Sequence, residues 1–303
     1  MQNLSGQRIL VTGPAGQIAF PLARELARDN EVWGIARFSQ PDSRDRCEAA
    51  GVTTRVVDLA DPDLSELPRD FDYVLHLAAS ILDGFDVDTA IRINAEGTGE
   101  LMSRFREAKA FLVMSSCAVY GSPEDGNFSV PESFDYGGSP QPYSNTYCVS
   151  KMAEEAVARF AAREFGLPTT IARMNVAYGD NGGLPAMLLA SLEAGQAIPL
   201  VRGRASICSM IHEDDIIAQT PGLLAAASVP ATITNWGGDQ PVDIRELVEY
   251  LGALTGLPAK TEESDMGIHH YRLDATRRIE LAGQCQVDWQ DGVRRMVEAR
   301  ANA

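Results

Sequence analysis

The sequence predicts an α/β fold: a doubly wound parallel sheet with a smaller carboxyl-terminal lobe. Three observations predict it. Short apolar runs alternate with amphipathic stretches through the first half of the chain. That is the pattern of strands buried on both faces and separated by covering helices. A glycine-rich turn directly follows the first apolar run. After Met174 the rhythm changes, loops lengthen, and Gly179, Gly182, Gly183 and Pro185 cluster together. Right-handed crossovers between parallel strands make the first part a Rossmann sheet.

The elements follow in order. Arg8–Thr12 is a buried strand. Gln17–Arg28 has helical spacing, with Ile18, Leu22 and Leu26 on one face. Glu31–Ala36, Thr53–Val57, Tyr73–Leu77, Phe111–Met114 and Thr169–Met174 supply five further strands. Helices around Ile91–Phe105 and Thr146–Phe165 lie between them. Beyond Met174 the pattern predicts a helix near Ala186–Ala194, a short strand at Ser206–His212 and a helix over Asp214–Ala227. Thr232–Trp236 is expected to rejoin the main sheet. Asp243 is placed to cap a helix running to Thr255, and Gln290–Arg300 is amphipathic.

Composition bounds the class. The chain has 303 residues, 45% hydrophobic and 22% charged, enough for one large α/β unit with a lobe. Lys and Arg total 26 against 42 Asp and Glu, a net charge of −16. So acidic a surface repels phosphate backbones, and no nucleic-acid partner is expected. Cys47, Cys117, Cys148, Cys208 and Cys285 form no C-x-x-C pair. With four histidines beside them, no metal site is expected. His269–His270 is read as a solvent-facing loop pair. The polar start and the lack of an apolar run near ~18 residues point to no membrane partner and a reducing, cytoplasmic setting.

Gly13-Pro14-Ala15-Gly16-Gln17-Ile18-Ala19 stands at the first strand–helix junction. Gly13 permits the tight turn, and Gly16 lets backbone approach a pyrophosphate that the helix N-terminus stabilises. Ala19 takes the small position where helix packs on strand. The alternative is a plain glycine turn; the position favours the ligand loop. An NAD site usually holds a carboxylate about 20 residues on, at the end of the second strand. Ala36 stands there instead, followed by Arg37, with Ser39 beyond it. A guanidinium without a competing acid suits a 2′-phosphate, so NADP is favoured over NAD. Asp58 and Leu59, past the third strand, are placed over the adenine edge.

Tyr147-Cys148-Val149-Ser150-Lys151 opens a predicted helix, and residues four apart share a face. A free phenol titrates near ~10, too high for a general base near neutrality. The Lys151 ammonium and a bound nicotinamide would both favour the phenolate. Ser116 comes from the end of the fifth strand, beside the ligand crevice of such sheets. Its hydroxyl can hold the substrate oxygen that gains or loses a proton.

These residues, with His76-Leu77-Ala78-Ala79, Asn94, Val119-Tyr120-Gly121 and Arg173 through Tyr178-Gly179, carry a family resemblance. Ile211-His212-Glu213-Asp214-Asp215 and Asn235-Trp236-Gly237-Gly238 add to it. Over nearly its whole length the chain resembles the extended short-chain dehydrogenase/reductases, the NAD-dependent epimerase/dehydratase family. The resemblance implies Tyr147 as acid/base, Lys151 orienting the nicotinamide ribose, and Ser116 aligning the substrate oxygen. It places Leu77, Ala78, Ala79 and Met114 along the cofactor, with Asn94 steadying the adjoining turn. Met174, Asn175 and Val176 join Gly13, Ala15, Gly16, Gln17, Ile18, Arg37, Ser39, Asp58, Leu59, Tyr147 and Lys151 as dinucleotide contacts. It also implies a homodimer through the helices that start near Ile91 and Thr146.

The chain departs from that pattern in informative places. Dehydratases of the family carry an acidic pair after the catalytic serine or threonine; here stand Cys117 and Ala118. The usual asparagine of R-x-x-N-x-Y-G is Val176, with Asn175 one place early. Cys208-Ser209-Met210 replaces the arginine that binds a nucleotide diphosphate, and His269–Asp274 replaces an R-x-G-D signature. Arg202 and Arg204 are candidate substitutes or plain loop charges.

The expected domains are 1–175, dinucleotide-binding, with 206–240 returning to it, and a substrate-binding lobe from 176–205 and 241–303. The expected function is hydride transfer between NADP(H) and a secondary alcohol or ketone on a small, moderately apolar substrate. Met174, Val176, Met187, Leu188 and Met210 are the expected apolar lining. One alternative is a sugar-nucleotide epimerase with tightly bound NAD. A second is a non-catalytic dinucleotide-sensing regulator, which the joint presence of Tyr147 and Lys151 disfavours. The Ser122–Asn145 connection, joining serine strand to tyrosine helix, is expected to flank the site.

Overall fold

The computed structural model describes residues 4–81, 86–137, 146–265 and 267–301. β1 (Arg8–Thr12), β2 (Glu31–Ala36), β3 (Thr53–Val56), β4 (Tyr73–His76) and β5 (Ala110–Ser116) join the Thr169–Met174 and Thr232–Trp236 strands in one sheet. Every neighbouring pair runs parallel. From one edge the order is Thr232–Trp236, Thr169–Met174, β5, β4, β1, β2, β3. The chain therefore starts in the middle and winds outward in both directions. The winding reverses between β1 and β4, and such a reversal opens a crevice at the carboxyl ends of the strands.

The pleat explains the layers. Ile9 and Val11 face one side of β1 and pack with Leu22 of α1 (Ala19–Leu26) and with Leu223 of the Glu213–Ala225 helix. Leu10 faces the other side, against Leu101, Phe105 and Ala158. Helices thus cover both faces, and the strands carry apolar residues at consecutive positions. No described helix is long and apolar enough to cross a membrane.

Four elements depart from the expected pattern. Ser206–His212 is not one strand but two. Ile207–Cys208 pairs antiparallel with Val242–Asp243, and Ile211–His212 pairs parallel with Ala177–Gly179. Between them Ser209 breaks the ladder: its N–H donates to Asn175 Oδ1 at 3.3 Å and its carbonyl accepts from Gly238 N at 3.1 Å. The helix expected over Ile91–Phe105 begins at Val87 and widens to a π-type turn at Arg92–Glu96 before Gly97–Arg104. Two short helices, α2 (Ser43–Ala49) and Thr276–Ala282, were not anticipated. α2 buries one side chain, Cys47, and so carries almost no apolar period.

A separate apolar cluster gathers Leu188, Leu192, Ile198, Leu247, Leu251 and Val293. The remaining carboxyl-terminal pieces pack elsewhere. Arg272–Leu273 pairs with Ser129–Val130 beside Tyr120, and Ala282 reaches the cluster on the α1 side of the sheet. Of the Ser122–Asn145 connection, residues 138–145 lie outside the described residues.

Candidate active site

A cleft of about 740 Å³ runs along the carboxyl ends of the strands. Gly13 begins it with φ +66°, and a Cβ there would sit 3.1 Å from Ala78 Cα. A Cβ at Gly16 would sit 3.1 Å from the Gly13 carbonyl. A side chain at either position would fill the turn that opens onto α1. The cradle therefore fits a dinucleotide pyrophosphate, held by backbone amides. Thr12 fastens the two lips: its Oγ1 accepts from Leu77 N at 3.1 Å and Ala78 N at 2.9 Å.

Most of the expected contacts meet here. Gly13, Ala15, Gly16, Gln17, Ile18, Arg37, Ser39, Asp58, Leu59 and Leu77–Ala79 line the cleft, as do Met114, Ser116, Tyr147, Met174 and Asn175. Three do not. Asn94 is buried outside it, exchanging hydrogen bonds with the Ser80 backbone at 2.7 and 3.0 Å. Lys151 is buried beside it. Val176 packs against the separate apolar cluster. Of the five apolar residues expected to line the substrate region, Met174 alone does so. The Leu184–Glu193 helix turns Leu188 into the other cluster and leaves Met187 66% exposed, while Met210 is buried there too.

Two residues at the far end were missed. Arg46 of α2 lines the cleft, with its guanidinium carbon 3.5 Å from the centre of the Phe20 ring. Its Nη2 donates to Asn181 Oδ1 at 2.6 Å. Asn181 in turn donates through Nδ2 to the carbonyls of Gln17 at 2.8 Å and Gly16 at 3.3 Å. The sequence signal for Arg46 would have been α2 itself; Asn181 had none beyond its turn-rich setting.

At the other end the register of β5 sets Ser116 beside Met174, so both finish at the cleft. Tyr147 is the first residue of the Tyr147–Phe165 helix, and Lys151 follows one turn later at 1% exposure. Lys151 Nζ donates to the Met114 carbonyl at 2.9 Å and pairs with the Glu154 carboxylate. Burial raises the Tyr147 phenol above its ordinary value, while Lys151 and a hydrogen bond with Ser116 pull it down. The net direction is up. Lys151 thus acts in the expected sense but is outweighed by burial. Burial also lowers Lys151, but Glu154 and Tyr147 more than restore it.

The helix is locked to the sheet by a buried ion pair. Arg173 Nε and Nη2 each reach Glu155 at 2.8 Å. Ser115 Oγ and Tyr136 Oη donate to the same carboxylate at 2.6 and 2.7 Å. Together these hold Glu155 below the usual glutamate range despite its burial.

The remaining candidates lie apart. Arg202 meets Asp265 at 3.3 Å on the surface. Arg204 donates to Ser122 Oγ at 2.8 Å and lies 2.9 Å from His269 Nδ1. His269 and His270 are half-buried rather than solvent-facing, because Ser122 and Arg204 engage the first of them. Burial pushes the Cys117 thiol up to about 12, which leaves it protonated and unreactive. Cys208, where a diphosphate-binding arginine would stand, is fully buried and donates to the Val242 carbonyl at 3.6 Å.

Comparison with known proteins accords with this geometry. A model of the NAD dependent epimerase/dehydratase family matches residues 9–228. The chain is 27% identical to a dTDP-4-dehydro-6-deoxy-D-allose reductase of Streptomyces bikiniensis, over 91% of each. It is 27% identical to a dTDP-glucose 4,6-dehydratase of Neisseria gonorrhoeae, over 89% of this chain and 84% of that one. In fold it is similar to the UDP-glucuronic acid 4-epimerase of Bacillus cereus, solved with NAD. The TM-score is 0.82 at 22% identity, over 97% of this chain and 99% of that one. With a glycine cradle, a serine strand and a tyrosine–lysine helix meeting at one cleft, the chain belongs to the NAD dependent epimerase/dehydratase family.

Proposed function

We propose that this protein is a short-chain dehydrogenase/reductase that transfers a hydride between NADP(H) and a secondary alcohol or ketone on a small substrate without a nucleotide diphosphate. The meeting of Ser116 and Tyr147 on the cleft that Gly13 opens, with Lys151 buried beside it, carries this reading. The nicotinamide, when bound, supplies or takes the hydride at the substrate carbon. In reduction Ser116 holds the carbonyl oxygen and Tyr147 gives it the phenol proton; in oxidation Tyr147 takes that proton back. Lys151 stabilises the phenolate left behind, and solvent restores its proton. The cofactor preference rests on Arg37, which is exposed at the cleft where an acid is missing, and on Arg46 beside it. Asp42 lines the same end and works against that preference. A homodimer belongs to the reading, supported by Phe160, 64% exposed on the tyrosine helix.

A second substrate reading has its own support: a keto group on a nucleotide-linked sugar. It rests on the likeness to the dTDP-4-dehydro-6-deoxy-D-allose reductase over nine-tenths of both chains. Against it, Cys208 is sealed in a strand pair and Arg202 and Arg204 are engaged away from the cleft. NADPH oxidation, followed with a panel of simple ketones and with a dTDP-4-keto-sugar, separates the two. Turnover of simple ketones supports the first reading; turnover confined to the nucleotide sugar overturns it. NAD that survives purification, with no net oxidation, would make the protein an epimerase. Unaltered cellular function of a Tyr147→Phe protein would make it a dinucleotide sensor.

A further inference from the structure

Glu154 is fully buried, one turn after Lys151, and pairs with its ammonium. Hydride transfer through Ser116, Tyr147 and Lys151 makes no use of it. Its surroundings fix its role. Thr12 Oγ1 accepts from two backbone amides, so its own hydroxyl is free to donate to His76 Nδ1, 2.8 Å away. Burial holds His76 neutral, lowering it to about 3. With Nδ1 accepting, the ring proton sits on Nε2. That N–H points at Thr98 Oγ1, 2.8 Å away, and at Glu154 Oε1, 3.5 Å away. The Thr98 hydroxyl accepts from that N–H and donates its own proton to the Asn94 carbonyl at 2.6 Å. One carboxylate oxygen therefore lies beside the His76 ring on β4, and the other faces Lys151. An ammonium has three donors. One goes to the Met114 carbonyl, and Glu154 takes up the ammonium's charge.

We propose that Glu154 is a positioning residue that competes with Tyr147 for the charge of Lys151, and so keeps Tyr147 in the phenol form that donates a proton to a carbonyl. This rests on the reading of Tyr147 as the acid/base. The charged and titratable groups around Glu154 are Lys151, Tyr147 and Glu155 on its own helix and His76 on β4. Glu155 is neutralised by Arg173, and His76 stays uncharged. Lys151 is thus the charge that Glu154 and Tyr147 share. Burial raises Glu154 to about 7, against the pull of Lys151, so the carboxylate is charged in the alkaline range where a phenol titrates. The competition operates in that range. It moves the pH dependence of the rates in both directions and leaves the overall equilibrium untouched.

The test is a titration of the holoprotein labelled with carbon-13 at tyrosine Cζ, with the Tyr147 signal assigned by its loss in Tyr147→Phe. Glu154→Gln is expected to lower the Tyr147 midpoint by about one pH unit. The pH limb of kcat/KM for alcohol oxidation should move down equally. An unchanged or raised midpoint overturns the proposal. If circular dichroism shows Glu154→Gln unfolded, Glu154→Asp, which withdraws the carboxylate by one methylene, is titrated instead with the same two outcomes. Full turnover by Tyr147→Phe would remove Tyr147 from the chemistry, while its midpoint would still report whether Glu154 acts on it.

Discussion

Asn181 donates its side-chain amide to the carbonyl of Gln17 at 2.8 Å, so a loop beyond the sixth sheet strand is fastened to the phosphate turn after the first. The same side chain accepts from Arg46. Asn181→Ala removes both contacts and the 3.3 Å one to the Gly16 carbonyl. A lost hydrogen bond of about 1 kcal/mol predicts roughly fivefold weaker dinucleotide binding. Fluorescence titration measures this, and binding equal to wild type would show that the clasp is incidental.

Arg37 is expected to grip the 2′-phosphate. Arg37→Ala should weaken NADPH about tenfold or more, the loss of one charge-assisted hydrogen bond, and leave NADH nearly unchanged. Parallel titrations with the two reduced cofactors decide it. Equal losses for both would mean that Arg37 contributes general charge rather than recognition.

Arg173 and Glu155 are both about 99% buried and satisfy each other. Arg173→Met strands a buried carboxylate, at a cost of about 3–5 kcal/mol. The double change Arg173→Met, Glu155→Gln should recover much of that, because no charge is left unpaired. Urea unfolding of the three proteins provides the comparison; a double variant no more stable than the single one would contradict it.

His76 makes stability fall in acid. Its folded value is about 3, against 6.5 for a free histidine. Below 6.5 the unfolded chain takes a proton that the folded chain refuses. Stability therefore drops as pH falls from 6.5 toward about 3, by at most about 1.4 kcal/mol per pH unit. Glu154 has the opposite sign: its value is raised to about 7 from 4.5, so its contribution is full below 4.5 and lost as pH rises through about 7. Urea midpoints across this range should fall less steeply in acid for His76→Gln than for wild type, and identical slopes would refute the assignment.

The sheet was legible because its strands are buried on both faces, and Arg8–Thr12, Glu31–Ala36, Thr169–Met174 and Thr232–Trp236 begin and end where apolar runs do. The cradle was legible because Gly13 takes a positive φ and a Cβ at Gly13 or Gly16 would crowd neighbouring backbone at 3.1 Å. The supporting polar groups were hidden by the same logic. On the Tyr147–Phe165 helix Ser150, Lys151, Glu154 and Glu155 are buried alongside Ala158, Ala161 and Ala162. A pattern reading takes polar residues for the wet face, and sites that spend burial on charge break that rule. Asn181 and Arg46 escaped for a different reason: their partners lie 135 and more positions away or on a helix with almost no apolar period.

Asn235 gives the fold a direction in time. Its side chain donates to the carbonyls of Val130 and Asp274 and accepts from Tyr120 Oη at 2.6 Å, tying the segment after the serine strand to the last quarter of the chain. As the chain leaves the ribosome, β1 to β5 can pair as they appear. The Asn235 bridge waits for Asp274. A nascent chain stopped short of that residue would hold the sheet without this bridge, and the junction after the serine strand would be the last part to close during synthesis.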